Sequence, residues 1–185
     1  MELVKKLELN KIIKIIILAI LGSLILTISA KIRIPFYPVP MTMQTFVVLF
    51  LGLALGSKIG AATVMLYLFE GILGFPVFAN SPEKGIGFIY FTGPTMGYLI
   101  GFLLAAYFAG TIKKNSGIFN VFIRLLFSVS FIYILGLLWL GILIGWDKPI
   151  FKLGAQPFLL AELFKLTLLS ILYPLIAKIN TKLFG

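Results

Sequence analysis

Glu162 and Lys165 stand three residues apart inside the apolar stretch 157–179, so on a helix they share one face. An ionisable side chain at mid-bilayer costs about 2.5–3.5 kcal/mol or more on insertion scales, so such groups pair, reach water or bind something. Two readings are open. The pair is a mutual salt bridge, with Lys165 also able to snorkel outward, or it offers one acceptor and one donor to a polar solute. Glu70 is a third such group, near the outer end of the apolar stretch 60–72, where it is either an interfacial residue or part of a site. Gln44 and Asn80 supply amides on the same outer side. Trp139, Trp146, Tyr90 and Tyr98 suit either an aromatic belt at the membrane surface or stacking on a flat ring system.

Missing residue types exclude much chemistry. The 185 residues include no Cys and no His. Thiolate catalysis, disulfides and Cys-ligated zinc or iron–sulfur centres are therefore excluded. A Ser-His-Asp triad and an HExxH metal helix are excluded too. Only six acids are present, so no catalytic residue, metal or cofactor is expected. The nearest approach to a phosphate loop, Gly52-Leu53-Ala54-Leu55-Gly56-Ser57-Lys58, lacks the Gly-Lys-Ser/Thr order. If ATP drives the protein, another subunit hydrolyses it.

The elements that must hold these groups are membrane helices. Hydrophobic residues make up 61% of the chain against 12% charged, with mean hydropathy +1.12. A soluble domain is about 45–50% apolar and about 25% charged. A span takes about 20 apolar residues, fewer where the bilayer thins. That ruler predicts an all-α polytopic protein, one domain over 1–185, with six spans near 12–30, 44–55, 60–72, 94–109, 118–144 and 157–179. The short second and third form a helical hairpin around a tight turn at Gly56-Ser57-Lys58. The first is too long for a cleaved signal and is followed by Lys31-Ile32-Arg33, so a permanent helix is expected.

The net charge of +10 reads as topology, not nucleic-acid binding, because the basic residues are scattered between apolar runs. With the amino terminus inside, Lys5, Lys6, Lys11, Lys14, Lys58, Lys113, Lys114, Arg124, Lys178 and Lys182 are cytoplasmic. Lys31, Arg33, Lys84, Lys148 and Lys152 are outside. This asymmetry places both termini in the cytoplasm of a cell-membrane protein. The outer connections are apolar and rich in Pro and Gly, which suits lids over a cavity better than solvated linkers. Small residues recur every fourth position at Gly93, Gly97, Gly101, Ala105 and Ala109, as either internal packing or a partner interface. Ala19 and Ser23 make a weaker pair on the first helix.

Four ordered stretches carry a family likeness. Pro38-Val39-Pro40-Met41-Thr42-Met43-Gln44-Thr45 resembles the PVPxTxQT segment of BioY-type proteins, the biotin-binding S components of energy-coupling factor (ECF) transporters. Gly74-Phe75-Pro76-Val77-Phe78-Ala79 resembles GxPVFA, and Gly93-Pro94-Thr95-Met96-Gly97-Tyr98-Leu99-Ile100-Gly101-Phe102 resembles GPTxGYLxGF. Pro157-Phe158 followed by Glu162 and Lys165 resembles PFxxxDxxK, with Glu in place of the usual Asp; Glu70 stands where the family is usually apolar. The resemblance implies a six-helix S-component fold with biotin near the outer surface, and as partners a transmembrane coupling subunit and two cytoplasmic ATPases that alone bind ATP. It implies a ligand-binding set of Gln44, Asn80, Gly93, Tyr98, Glu162 and Lys165, and docking of the coupling subunit at Ala19 and Ser23. The competing function is a small ion-coupled carrier or channel using Glu70, Glu162 and Lys165. An intramembrane enzyme is the third.

Overall fold

The computed structural model describes residues 2–35 and 37–184, with side chains from residue 9 onward. Its elements are α1 (Glu2–Lys31), a two-stranded antiparallel ribbon of β1 (Arg33–Ile34) and β2 (Met41–Thr42), α2 (Gln44–Leu55) and α3 (Ser57–Ile72). A 3₁₀ helix (Gly87–Thr92) precedes α4 (Met96–Ala109) and α5 (Ile118–Ile144). A short α6 (Ile150–Gly154) and a second 3₁₀ turn (Gln156–Phe158) lead into α7 (Leu159–Phe184). A helix thus stands at each of the six expected places. The first begins at Glu2, nearly three turns of helix earlier than the apolar stretch alone predicted.

Among the described residues, three segments are long and apolar enough to cross a bilayer: Leu9–Lys31, Ile118–Ile144 and Ile150–Phe184. By contrast α2 has 12 residues and α4 has 14, roughly 18 and 21 Å at 1.5 Å per residue, less than the ~30 Å hydrocarbon thickness. The helix α2 is central, buried on nearly every side, and packs against α1, α3, α4 and α7. Gly56, at φ 81°, closes α2 and opens α3 in one residue, which gives the expected tight hairpin.

Small residues let these helices approach closely. A Cβ on Gly60 would lie 2.9 Å from the Cα of Gly52, and one on Gly101 would lie 2.5 Å from the Cα of Ile132 in α5. Ala105 and Ala109 are fully buried. The every-fourth-residue stripe of α4 is therefore internal packing against α5 and α2, not an open partner face. On α1, Gly22, Ser23, Leu26 and Ala30 turn inward, while Ile16, Ile17, Ile20, Leu24 and Ile28 are exposed, as a lipid-facing surface requires. One apolar core runs from Leu26 of α1 to Ile176 of α7.

Candidate functional site

At the end of the bundle where the ribbon lies, a slender cavity of about 60 Å³ sits between β2, the start of α2, α4, α5 and the start of α7. Its walls are mostly apolar: Val39, Pro40, Met41, Leu99, Phe102, Ile132 and Phe158. Tyr90, Tyr98 and Tyr133 add rings, and Thr42, Gln44, Thr45, Thr95 and Glu162 add polar groups. An apolar pocket with a few convergent polar groups is the usual form of a small-molecule site.

Glu162 and Lys165 are brought together as their spacing demands. Lys165 Nζ donates to Glu162 Oε1 at 2.8 Å, and both side chains are 7% exposed. The ammonium also donates to Thr45 Oγ1 (2.9 Å) and to the Thr42 carbonyl (2.8 Å). An ammonium has three N–H donors, so all three are used. Thr45 donates its own hydroxyl hydrogen to Glu162 Oε1 at 2.7 Å. The start of α2 thus completes the pair, which makes burial of both charges tolerable. Glu162 Oε2 is the one buried side-chain polar atom without a hydrogen-bond partner among the described residues. Tyr133 on α5 is close enough to Glu162 to interact with its carboxylate both electrostatically and as a side-chain hydrogen-bonding neighbour, while Oε2 has no partner at full hydrogen-bond geometry.

The two charges face different spaces. Glu162 lines the cavity and Lys165 does not. Lys165 instead lines a lateral groove of about 880 Å³ between the end of α1, the ribbon and α7. At the opposite end of the bundle α1 and α7 meet, where Lys14 Nζ donates to the Leu183 carbonyl at 2.5 Å. Met41 and Thr42 line both spaces, so the ribbon and the ion pair form a partition between them.

The other expected site residues divide. Gln44 lines the cavity; its Nε2 donates to Tyr67 Oη (2.8 Å), which in turn donates to the Val77 carbonyl (3.1 Å). Tyr98 presents its ring to the cavity but donates its hydroxyl to the Gly154 carbonyl (2.8 Å). Asn80 lies outside the cavity lining: its Oδ1 accepts from Arg33 Nη1, and its backbone N–H donates to the Tyr90 hydroxyl (3.3 Å). Gly93 is not in the lining either; its carbonyl accepts from Trp139 Nε1 at 2.8 Å. Thr45, Tyr90 and Tyr133 belong to the site beyond the expected set. Thr45 stood in the quoted PVPxTxQT segment, and Tyr90 among the aromatics available for stacking. Nothing in sequence separates Tyr133 from the other aromatics of α5.

The roof is tied down by the basic end of α1. Lys31 Nζ donates to the carbonyls of Phe78 and Ser81, both at 2.8 Å, and Arg33 Nη1 donates to the Ala79 carbonyl at 2.6 Å. Arg33 also reaches Glu83 at 3.4 Å. Tyr90 stacks on Phe78 with ring centroids 4.6 Å apart, and burial raises its phenol above the ordinary range.

Ser23 and Glu70 meet elsewhere. The Ser23 hydroxyl donates to Glu70 Oε2, across the α1–α3 contact. Glu70 lines neither the cavity nor the groove. Ser23 is 1% exposed and Ala19 half-buried. The open docking face expected at this pair is not open at Ser23, because it lies on the same inward side of α1 as Gly22 and Leu26.

Comparison with known proteins agrees with this architecture. The BioY family model matches residues 4–182. A probable biotin transporter BioY of Pyrococcus horikoshii is 34% identical over 139 residues, covering 75% of this chain and 81% of that protein. A biotin transporter BioY of Thermotoga maritima is 34% identical over 149 residues, covering 80% and 86%. The crystal structure of an S-component for biotin from an ECF-type ABC transporter superposes with a TM-score of 0.77, covering 91% of this chain and 93% of that one at 24% identity. The fold is therefore that of an S component, its helices are suited to spanning a bilayer, and the chain belongs to the BioY family.

Proposed function

We propose that this chain is the substrate-binding membrane subunit of an ECF-type transporter and that its ligand is biotin. One observation carries the reading beyond family membership: a buried carboxylate oxygen without a partner, Glu162 Oε2, in a residue that lines a mostly apolar cavity. Biotin offers such a cavity an apolar thiophane and chain, and a ureido ring whose N–H groups donate. Glu162 accepts one of those donors. Lys165, with its N–H groups engaged by Thr42, Thr45 and Glu162, holds the carboxylate in position from behind. Gln44 and Tyr98 are proposed as wall contacts. Asn80 and Gly93 are proposed to act through the roof, as anchors of Arg33 and Trp139.

The remaining parts of the reading rest on the family. A transmembrane coupling subunit and two cytoplasmic ATPases supply the energy, and both termini are cytoplasmic, as the Lys/Arg asymmetry supports. Docking of the coupling subunit is proposed along α1 at Ala19, with Ser23 turned to α3. An ion-coupled carrier is disfavoured because Glu70 does not share a cavity with Glu162 and Lys165.

The test is equilibrium binding of labelled biotin to purified protein without nucleotide, with unlabelled biotin, thiamin and riboflavin as competitors. Only biotin should displace the label. Binding of thiamin or riboflavin with none of biotin would overturn the proposal.

A further inference from the structure

The 3₁₀ helix Gly87–Thr92 divides its side chains between two environments. Tyr90 and Phe91 are buried, and Tyr90 lines the cavity. Phe88 and Ile89, immediately before them, are 73% and 70% exposed. Such apolar exposure in a loop is unusual for a water-facing surface, and contiguous patches of it mark a protein or membrane contact.

The patch is not isolated. Leu73 and Phe75, at the end of α3, are 60% and 59% exposed. The same helix carries a lipid-facing row below them, at Met65 and Phe69. The 3₁₀ helix packs against α3, and a Cβ on Gly87 would lie 3.5 Å from the Ile72 carbonyl oxygen and 3.9 Å from the Gly74 Cα. Phe88 and Ile89 therefore continue the lipid-facing surface of α3 upward without a break. The nearest charged residues in sequence, Glu83 and Lys84, are separated from them by Gly85, Ile86 and Gly87. A short segment with one apolar face outward and no charge on that face matches an element lying in the membrane interface, where apolar faces sink about 5–10 Å into the headgroup–acyl boundary.

We propose that the 3₁₀ helix is seated in the lipid of the leaflet nearest the cavity, with Phe88 and Ile89 in contact with acyl chains while Tyr90 forms part of the cavity wall. The partner is phospholipid, because the patch is continuous with the lipid-facing side of α3. One six-residue element then separates the cavity from the bilayer. This inference does not depend on which ligand the cavity takes.

The absence of native cysteine makes the test direct, since any introduced thiol is unique. Phe88→Cys and Ile89→Cys carry a nitroxide in vesicles of phosphatidylethanolamine and phosphatidylglycerol. Collision with molecular oxygen and with a water-soluble nickel chelate is then measured. Phe69→Cys is the lipid reference and Lys84→Cys the aqueous one. The oxygen-to-nickel ratio at Phe88 and Ile89 should be severalfold above that at Lys84 and close to that at Phe69. A ratio matching Lys84 would overturn the proposal. All four sites are exposed, and Ile89→Cys alone decides the matter should Phe88→Cys fail to assemble.

Discussion

Lys165 holds Glu162 by one oxygen only. Its Nζ donates to Oε1 at 2.8 Å, the Thr45 hydroxyl donates to that same oxygen, and Oε2 remains the unengaged acceptor of a residue that lines the cavity. The ion pair therefore has a structural half and a ligand-facing half. Salt bridging and solute binding, which compete as readings of the sequence, are compatible here because the carboxylate has two oxygens.

Removing one charge of this pair leaves the other buried and uncompensated. Lys165→Met should cost about 3–5 kcal/mol of stability, while Glu162→Gln with Lys165→Met should recover most of that loss. Denaturation of the detergent-purified variants measures both. A Lys165→Met protein as stable as wild type would show that the pair is solvated.

Thr45→Val keeps the side chain's shape and deletes two hydrogen bonds, one donated to Glu162 and one accepted from Lys165. It should destabilise by about 1–3 kcal/mol, the cost of leaving buried polar partners unmatched. The same denaturation series reads it, and an unchanged midpoint would remove Thr45 from the network.

The α4–α5 contact has no room for a methyl group. A Cβ at Gly101 meets the backbone of Ile132 at 2.5 Å, whereas one at Gly117 meets nothing within 4 Å. Gly101→Ala should lose about 1–3 kcal/mol through overpacking, and Gly117→Ala should be near neutral. Thermal unfolding of the two proteins side by side gives the comparison; equal midpoints would contradict the close approach.

Much of this arrangement was legible in the sequence. Helix positions followed from apolar length, and the hairpin turn from Gly56, because bilayer thickness and backbone freedom act locally. The shared face of Glu162 and Lys165 followed from helical periodicity. What the lysine points at did not. That depends on Thr42 and Thr45, more than a hundred residues earlier, which come into reach only through the packing of α2 on α7. Asn80 and Gly93 lie outside the cavity lining, since Arg33 and Trp139 claim their polar atoms. The docking role at Ser23 comes from the family resemblance alone, and a small residue looks the same on either face of a helix. Its bond to Glu70 turns it inward.

Topology has a simple check. With no native cysteine, a membrane-impermeant maleimide should label Lys84→Cys in intact cells and Lys114→Cys only after lysis. The reverse pattern would place the termini outside.

The most direct measurement of the central claim is a calorimetric titration of biotin into the wild-type protein and into Glu162→Gln. Wild type should bind biotin saturably in the absence of ATP. Glu162→Gln should bind about ten- to a hundredfold more weakly, the equivalent of one charge-assisted hydrogen bond of about 1.5–3 kcal/mol. Glu162→Asp, which keeps the carboxylate, should retain binding. A folded wild-type protein that takes up no biotin, or a Glu162→Gln protein that binds as tightly as wild type, would contradict the account.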